Sequence, residues 1–406
     1  MTDSCTPCSA SPHFPLVATI SLSALAHNVA VVRQLLSPSC KILAVIKADA
    51  YGHGAQNIAE ALVRQSIPYF GVATVYEGVA LRQHGIRQPI LIMGGLLPEL
   101  IPDLLRFQLI PVIGNWETAL ALSHDLKQRA GTAYPVHLKI DTGMRRLGFS
   151  PDDVLALLDH PDLSRIFQFQ GLMTHLADAD NLDPTFTQQQ LQSFENLIQR
   201  IRKRGVSIPL IHAANSTAIF RYPEAHLDLV RPGLALYGYH LAPLHDHQVS
   251  LKPIMTVSTR IVHLRTVSPG ESLGYNGAFR TMRRSRIAVL PIGYYHGLAR
   301  RLSNRGQVLV RGQRVPIVGK ICMDMTMIDV TDVPSVTLGD PVVLIGQQSQ
   351  GHITAMDIAE WQETVPYEVL CAIGSKASRV YESTPTLELH PREAHAPAMA
   401  IPLSSG

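Results

Sequence analysis

The segment Lys-Ile-Leu-Ala-Val-Ile-Lys, residues 41–47, ends an apolar run on a lysine and continues as Ala-Asp-Ala-Tyr-Gly-His-Gly. An amine that emerges from a low-dielectric wall loses part of the stability of its ammonium form, and the exposed lone pair can attack an aldehyde. Lys47 is therefore a candidate imine former, although a lysine that simply ends a strand is the plainer reading of the segment taken alone. Other apolar runs also end on groups capable of chemistry: Lys139 with Asp141, His175, His212 with Asn215 and Ser216 beyond it, and Arg231. Asn215-Ser216-Thr217 reads as a short helix start, where backbone N–H groups could hold a phosphate or where Asn215 or Ser216 could act as a simple cap. Arg231-Pro232-Gly233-Leu234 adds a glycine that lets the backbone approach an anion, with a cation alongside.

The elements that must position these groups are legible as a period. Apolar runs at 41–47, 69–74, 89–93, 109–113, 136–141, 167–175, 208–212 and 227–230 form a set of eight candidate strands, most of them continuous and hence buried on both faces. Helical spacing fills the intervals, most clearly at 183–204. Eight strand–helix units predict an N-terminal TIM (β/α)8 barrel, an α/β fold in which catalytic groups gather where the strands end. An open doubly wound sheet is the alternative, but the glycine-rich dinucleotide fingerprint is missing after the first strand.

Beyond the barrel the helical period gives way to β segments and turns at 254–267, 287–292, 308–330 and 342–346, which predicts a mainly β C-terminal domain. The expected organisation is a flexible extension at 1–15, the barrel at 16–245, the β-domain at 246–382 and a flexible tail at 383–406. A strand at 16–21, ahead of a helix with Leu25, Val29, Val32 and Leu36 on one face, is expected to pair with the β-domain.

Composition narrows the ligand to a small molecule. A chain of 406 residues with 46% hydrophobic and 17% charged residues folds into a core, and a formal charge of +3 with dispersed Lys and Arg gives no case for nucleic acid. No apolar run is long enough to span a membrane, and residues 1–15 lack the features of an export signal. Cys5, Cys8, Cys40, Cys322 and Cys371 form an odd, scattered set, which predicts reduced thiols in a cytoplasm. The Cys5/Cys8 CxxC has no second pair at metal spacing, so no metal is expected.

Together these residues resemble the alanine racemases, a family of pyridoxal 5'-phosphate isomerases of fold type III, and the likeness runs from about Leu16 to Tyr381. Ala44-Val45-Ile46-Lys47-Ala48-Asp49-Ala50-Tyr51-Gly52-His53-Gly54 is similar to the family's cofactor-lysine segment, which implies that Lys47 holds the cofactor and that Tyr51 contacts its phosphate. The resemblance further implies cofactor contacts for His175, Asn215, Ser216, Arg231, Gly233, Leu234 and Tyr367, with Arg231 facing the pyridine nitrogen. It implies substrate contacts for Arg146, Met323 and Asp324, and carbamylation of Lys139 to orient Arg146. Tyr275, within Leu-Gly-Tyr-Asn-Gly, matches the second catalytic base, and in the family each such tyrosine serves the partner's cofactor across a head-to-tail homodimer.

The implied reaction is interconversion of L- and D-alanine by Lys47 and Tyr275 on opposite faces, supplying D-alanine for peptidoglycan. A tyrosine ionises near ~10 in water, so such a base needs neighbours such as His175 that favour the phenolate. An arginine that keeps its proton does not promote ring protonation, which implies a weak electron sink suited to proton exchange. The chain departs from the family pattern at Tyr295-His296, where Ala-Asp is usual, at Arg145 for glycine, at Met325 for glutamine, and near Arg379. Serine is an alternative substrate, because a small pocket rejects one hydroxyl poorly. A decarboxylase of the same architecture is a further alternative, which a glutamate in place of Arg231 would have favoured.

Overall fold

The computed structural model describes residues 15–129, 133–241 and 250–382. Most of the expected N-terminal extension, the Cys5/Cys8 pair, the boundary expected at 245/246 and the tail from 383 lie outside the described residues.

The chain opens with strand β1 (Val17–Ser21), whose alternate residues are buried, and helix α1 (Leu22–Gln34). The Ser21 side chain caps α1 by accepting from the Ala24 N–H at 3.2 Å. Leu25, Val29 and Val32 then recur at helical spacing and turn one face of α1 to the core. Eight strands follow: β2 (Lys41–Val45), β3 (Tyr69–Val72), β4 (Ile90–Ile92), β5 (Ile110–Ile113), β6 (Tyr134–Lys139), β7 (Phe167–Met173), β8 (Leu210–His212) and β9 (Leu229–Val230). They form one sheet in the order β8-β7-β6-β5-β4-β3-β2-β9, with parallel pairing throughout.

The last seam closes differently. Between β8 and β9 the Asp228 N–H donates to the Ile211 carbonyl and the Arg231 N–H to the Ala214 carbonyl, both at 3.0 Å. The Asp228 carboxylate accepts the Ile211 N–H at 2.9 Å, so a side chain supplies part of the ladder that closes the barrel.

In the C-terminal region, β10 (Met255–Arg260), β11 (His263–Val267), β12 (Ser272–Leu273), β13 (Phe279–Arg280), β14 (Ser285–Leu290), β15 (Gln307–Val310), β16 (Gln313–Pro316), β17 (Thr326–Asp329), β18 (Pro341–Gln348), β19 (Gly351–Ile353) and β20 (Ser378–Glu382) build the remaining sheets. A seven-stranded sheet runs β16-β15-β18-β10-β1-β20 with β19 beside β18, and β11-β14-β17 form a second. Strand β1 is thus held from both sides, antiparallel by β10 and parallel by β20.

Three differences from the sequence expectations have physical reasons. The β strand expected at 254–267 divides at Ile261, whose N–H turns to the Asp340 carbonyl, and its halves join separate sheets. The segment at 308–330 breaks where Arg311 and Gly312 take left-handed backbone. Helical structure does not end with the barrel: helices Ala355–Gln362 and Pro366–Gly374 follow β19, the first capped by a reciprocal Thr354–Asp357 box and the second opened by Pro366.

Ile20 is fully buried in the strand that joins the two ends of the chain. Ile20→Ala is expected to lower stability by about 2–5 kcal/mol, read as a drop in the urea midpoint.

Candidate active site

Strand β2 stops at Val45, two residues short of the expected lysine, because the chain turns sharply there. Ala48, Asp49, Ala50 and Tyr51 all have φ between 51° and 54°, a left-handed helical turn made without glycine. Such backbone costs L-residues roughly 1–2 kcal/mol each, so it persists only where its surroundings over-determine it. Here they do. The Glu77 carboxylate accepts the N–H groups of Ala48 (2.6 Å), Ala73 (2.8 Å) and Thr74 (2.9 Å), tying the loops after β2 and β3 together. The turn then leaves through Gly52 and Gly54 at φ 81° and 90°. A Cβ on Gly52 would meet the Leu370 carbonyl at 2.5 Å, so that position also needs glycine for space.

The turn presents Lys47 and Tyr51 to a cavity of about 570 Å³ at the ends of the barrel strands. Lys139, Arg146, His175, Asn215, Ser216, Arg231, Gly233, Leu234 and Tyr367 line the same cavity, and no carboxylate does. The electrostatics follow from that imbalance. Burial and the Arg146 guanidinium lower the Lys47 pKa below its ordinary value. Burial, Arg146 and Arg231 push Lys139 down to about 8. Both amines therefore reach their neutral, nucleophilic form more readily than a lysine in water.

Arg231 is almost fully buried, and burial lowers its pKa to about 9, which still leaves it charged at neutral pH. Its Nη2 donates to the carbonyls of Thr174 and Ala213, both at 2.8 Å, and contacts His175 Nδ1 at 3.5 Å. Its Nη1 lies 3.1 Å from His212 Nδ1. Because guanidinium only donates, His212 must accept at Nδ1, carry its proton on Nε2 and donate it to His137 Nδ1 at 2.9 Å. Burial holds all three imidazoles neutral, with His137 down at about 3.

The opposite end of the cavity is built to meet an anion through neutral donors. Asn215 caps helix Ser216–Arg221 through its own side chain, accepting from the Ala218 N–H at 3.0 Å. Ser216 Oγ accepts the N–H groups of Gly233 (2.9 Å) and Ala235 (3.2 Å) and keeps its proton for a ligand. A Cβ on Gly233 would lie 2.6 Å from Tyr51 Oη, so the glycine is what allows the phenol to approach this backbone. Burial raises the pKa of both Tyr51 and Tyr367, the latter to about 12, and their ring centroids are 5.6 Å apart. They remain phenols and donors.

Tyr275, Met323 and Asp324 are not in this cavity. All three are exposed on the C-terminal region, Tyr275 at 65% and Met323 at 58%. Sequence reasoning missed several cavity walls, namely Met93, Met144, Leu147 and Met173, although Met93 and Met173 stand at strand ends where the site was sought. It also missed Gln190, fully buried on helix Thr185–Lys203, which donates to the His175 carbonyl and to Thr142 Oγ1, both at 3.2 Å. Arg145, where the family pattern has glycine, lies at φ 59°, which explains the preference for glycine there.

His53 sits beneath the turn, fully buried and stacked on Tyr237 at 4.4 Å between centroids. Burial depresses its pKa from 6.5 to about 4. Above pH 6.5 the group is neutral in both states; as the pH falls, the unfolded chain takes up a proton that the fold refuses until about 4, so stability is lost across that window. The melting temperature is expected to drop between pH 6.5 and 4, and His53→Gln to make that slope shallower in calorimetry.

The family model for the alanine racemase N-terminal domain matches residues 20–241, and the one for the C-terminal domain matches 254–381. An alanine racemase of Halothermothrix orenii is 42% identical over 371 residues, covering 91% of this chain and 97% of its own. The solved alanine racemase of Clostridium difficile 630 superimposes with a TM-score of 0.85 at 34% identity, over 92% of this chain and 97% of the other. That of Bartonella henselae, solved with covalently bound pyridoxal phosphate, gives 0.82 at 30% identity over 90% and 99%. With matches across both regions and a cavity at the barrel mouth shaped for an anionic ligand, this chain belongs to the alanine racemase family of pyridoxal 5'-phosphate isomerases.

Proposed function

We propose that the chain interconverts L- and D-alanine, supplying D-alanine for peptidoglycan, at composite sites shared between the subunits of a homodimer. One observation carries this reading: a cation-rich cavity holds Lys47 and Arg231, while Tyr275 stands exposed on the C-terminal region, available to a neighbour. Among the described residues no helix is long and apolar enough to cross a membrane. Cys40, Cys322 and Cys371 are free thiols, in keeping with a cytoplasmic setting. The division proposed from the sequence, barrel at 16–245 and β-domain at 246–382, is supported on either side of its boundary by the parallel sheet of β2 to β9 and the sheets of β10 to β20, with β1 shared into the latter.

The residues present fit the cofactor. Tyr51, Ser216, Tyr367 and the backbone at Gly233 and Leu234 would hold the phosphate, Asn215 setting the helix start beside it, and the close approach at Gly233 leaves backbone rather than a side chain facing that anion. Arg231 would face the pyridine nitrogen, His175 would lie beside the ring, and the lowered pKa of Lys47 suits covalent attachment. When bound, pyridoxal phosphate supplies the electron sink that makes an α-proton removable.

The chain's own groups then move the proton. Lys47 Nζ, free of charge more readily than an ordinary lysine, accepts or returns it at one face of Cα. The partner subunit's Tyr275 serves the other face through its Oη, and His175, which lines the same cavity, is the imidazole that would donate to its phenolate. Arg146 binds the substrate carboxylate, with backbone N–H groups of the partner's Met323 and the partner's Asp324 as the uncharged donors beside it. Lys139, whose pKa of about 8 makes the neutral amine more accessible, forms an N–C bond to carbon dioxide and releases one N–H proton to solvent, leaving a carbamate whose negative charge orients Arg146. Tyr294, Tyr367 and Met323 would crowd a long side chain, which limits the substrate to a small amino acid such as alanine or serine.

Lys47→Ala and Tyr275→Phe are each expected to abolish or strongly reduce racemisation, followed by circular dichroism. Refolded together, the two inactive parents should regain roughly a quarter of the wild-type rate, because half the dimers pair one intact site with one doubly defective site. No regain on mixing would place both bases in one chain, and full activity of Tyr275→Phe toward both enantiomers would remove the tyrosine from the reaction.

A further inference from the structure

The left-handed turn after Lys47 is held at its start by Glu77, but its middle and end are held by the last strand of the chain. Asp49, second of the left-handed residues, accepts the Ala55 N–H on Oδ1 at 2.7 Å and pairs through Oδ2 with Arg379 Nη1 at 2.6 Å. Arg379 lies on β20, beside Ala18 of β1, and its Nε donates to the Gly374 carbonyl at 3.1 Å. Two residues on, and so on the same face of the strand, Tyr381 Oη donates to the His53 carbonyl at 3.0 Å. A Cβ on Gly54 would lie 1.9 Å from Tyr381 Oη and 3.2 Å from Arg379 Nη1, so the turn and the strand are fitted closely to each other.

We propose that Arg379, acting through Asp49, is a positioning residue for the Lys47 amine: the sheet that joins the two ends of the chain clamps the strained turn and so sets where the lysine sits. Four successive residues in left-handed backbone relax toward ordinary conformations unless they are held, and the chain immediately after Lys47 relaxes with them. The Arg379 side chain is mostly buried and fixed at both ends of its guanidinium, whereas Asp49 is about half exposed. A pair so placed contributes little to global stability, and its effect falls on geometry. The consequence is that docking of the seven-stranded sheet and placement of the lysine are one event.

The inference rests on the assignment of Lys47 as the cofactor lysine, which borohydride reduction of the holoenzyme and peptide mapping report separately. Hydrogen exchange on the holoenzyme, and on the protein after cofactor removal, is the direct test of the clamp. In Arg379→Gln the amides of 48–54 are expected to exchange about tenfold faster while those of β3 to β5 keep their rates. The same variant should lose about tenfold in kcat with little change in KM for alanine, and Arg379→Lys, which keeps a cation opposite Asp49, should recover most of that loss. The double variant Asp49→Asn/Arg379→Gln should be no worse than the poorer single variant. Unchanged exchange at 48–54, or losses that add in the double variant, overturns the clamp even where mapping finds the cofactor on Lys47. Should Arg379→Gln fail to fold, Asp49→Asn alone carries the same exchange test.

Discussion

Four basic groups, Lys47, Lys139, Arg146 and Arg231, share one partly enclosed cavity with no carboxylate on its walls. Charges of one sign in a low-dielectric space repel and lack the hydration that would stabilise them, so something must yield. The lysines yield by becoming easier to deprotonate. The pKa of Arg231 is lowered too, to about 9, but the group stays charged at neutral pH, with the carbonyls of Thr174 and Ala213 and the His212 ring nitrogen accepting from it. The result is two amines that lose a proton more readily than in water beside a guanidinium that stays charged at neutral pH. An anionic ligand relieves the remaining repulsion, which makes binding of a phosphate and a carboxylate part of the site's own electrostatic balance.

The same constraint explains the neutral imidazoles inside the barrel. A protonated His212 would add charge behind Arg231 and lose the acceptor nitrogen that Arg231 needs, and a protonated His137 would lose the acceptor that His212 needs. Their burial therefore fixes tautomers as well as charge, and the direction of donation runs outward from Arg231 through both rings. The His175 backbone, 3.2 Å from Gln190 Nε2, is held from helix Thr185–Lys203. Through that one buried cation the tautomers of His212 and His137 are linked.

Much of this was legible in the sequence, and the reasons are local. Strands such as Ile90–Ile92 are apolar throughout because they are buried on both faces, so their period and the polar groups at their ends could be read directly. The ends themselves moved by a residue or two, as at β2 and β7, since pairing rather than composition decides where a strand stops. His137 was hidden because it stands inside β6, where the pattern is that of a core strand. The helices at 355–374 were passed over although Thr354, Asp357 and Pro366 mark their starts, because the surrounding β texture dominated the reading. The left-handed turn could not have been read at all: Ala48 and Ala50 have no propensity for it, and Glu77, Arg379 and Tyr381, which enforce it, are distant in sequence.

That turn shows why the architecture needs its second sheet even before any second subunit is considered. A barrel strand that ran straight into a right-handed loop would carry the residues after Lys47 along an ordinary path, and Tyr51 would no longer lie against Gly233 while Lys47 enters the same cavity. Placing both side chains at one mouth requires the chain to reverse hand within a few residues, and a reversal made without glycine must be enforced from outside. The enforcing groups come from helix Val75–Gln83 on one side and from β20 on the other. Strand β20 is itself held in register by β1, the first strand of the chain. The first and last strands of the described residues are thus committed to the geometry of the loop that carries Lys47.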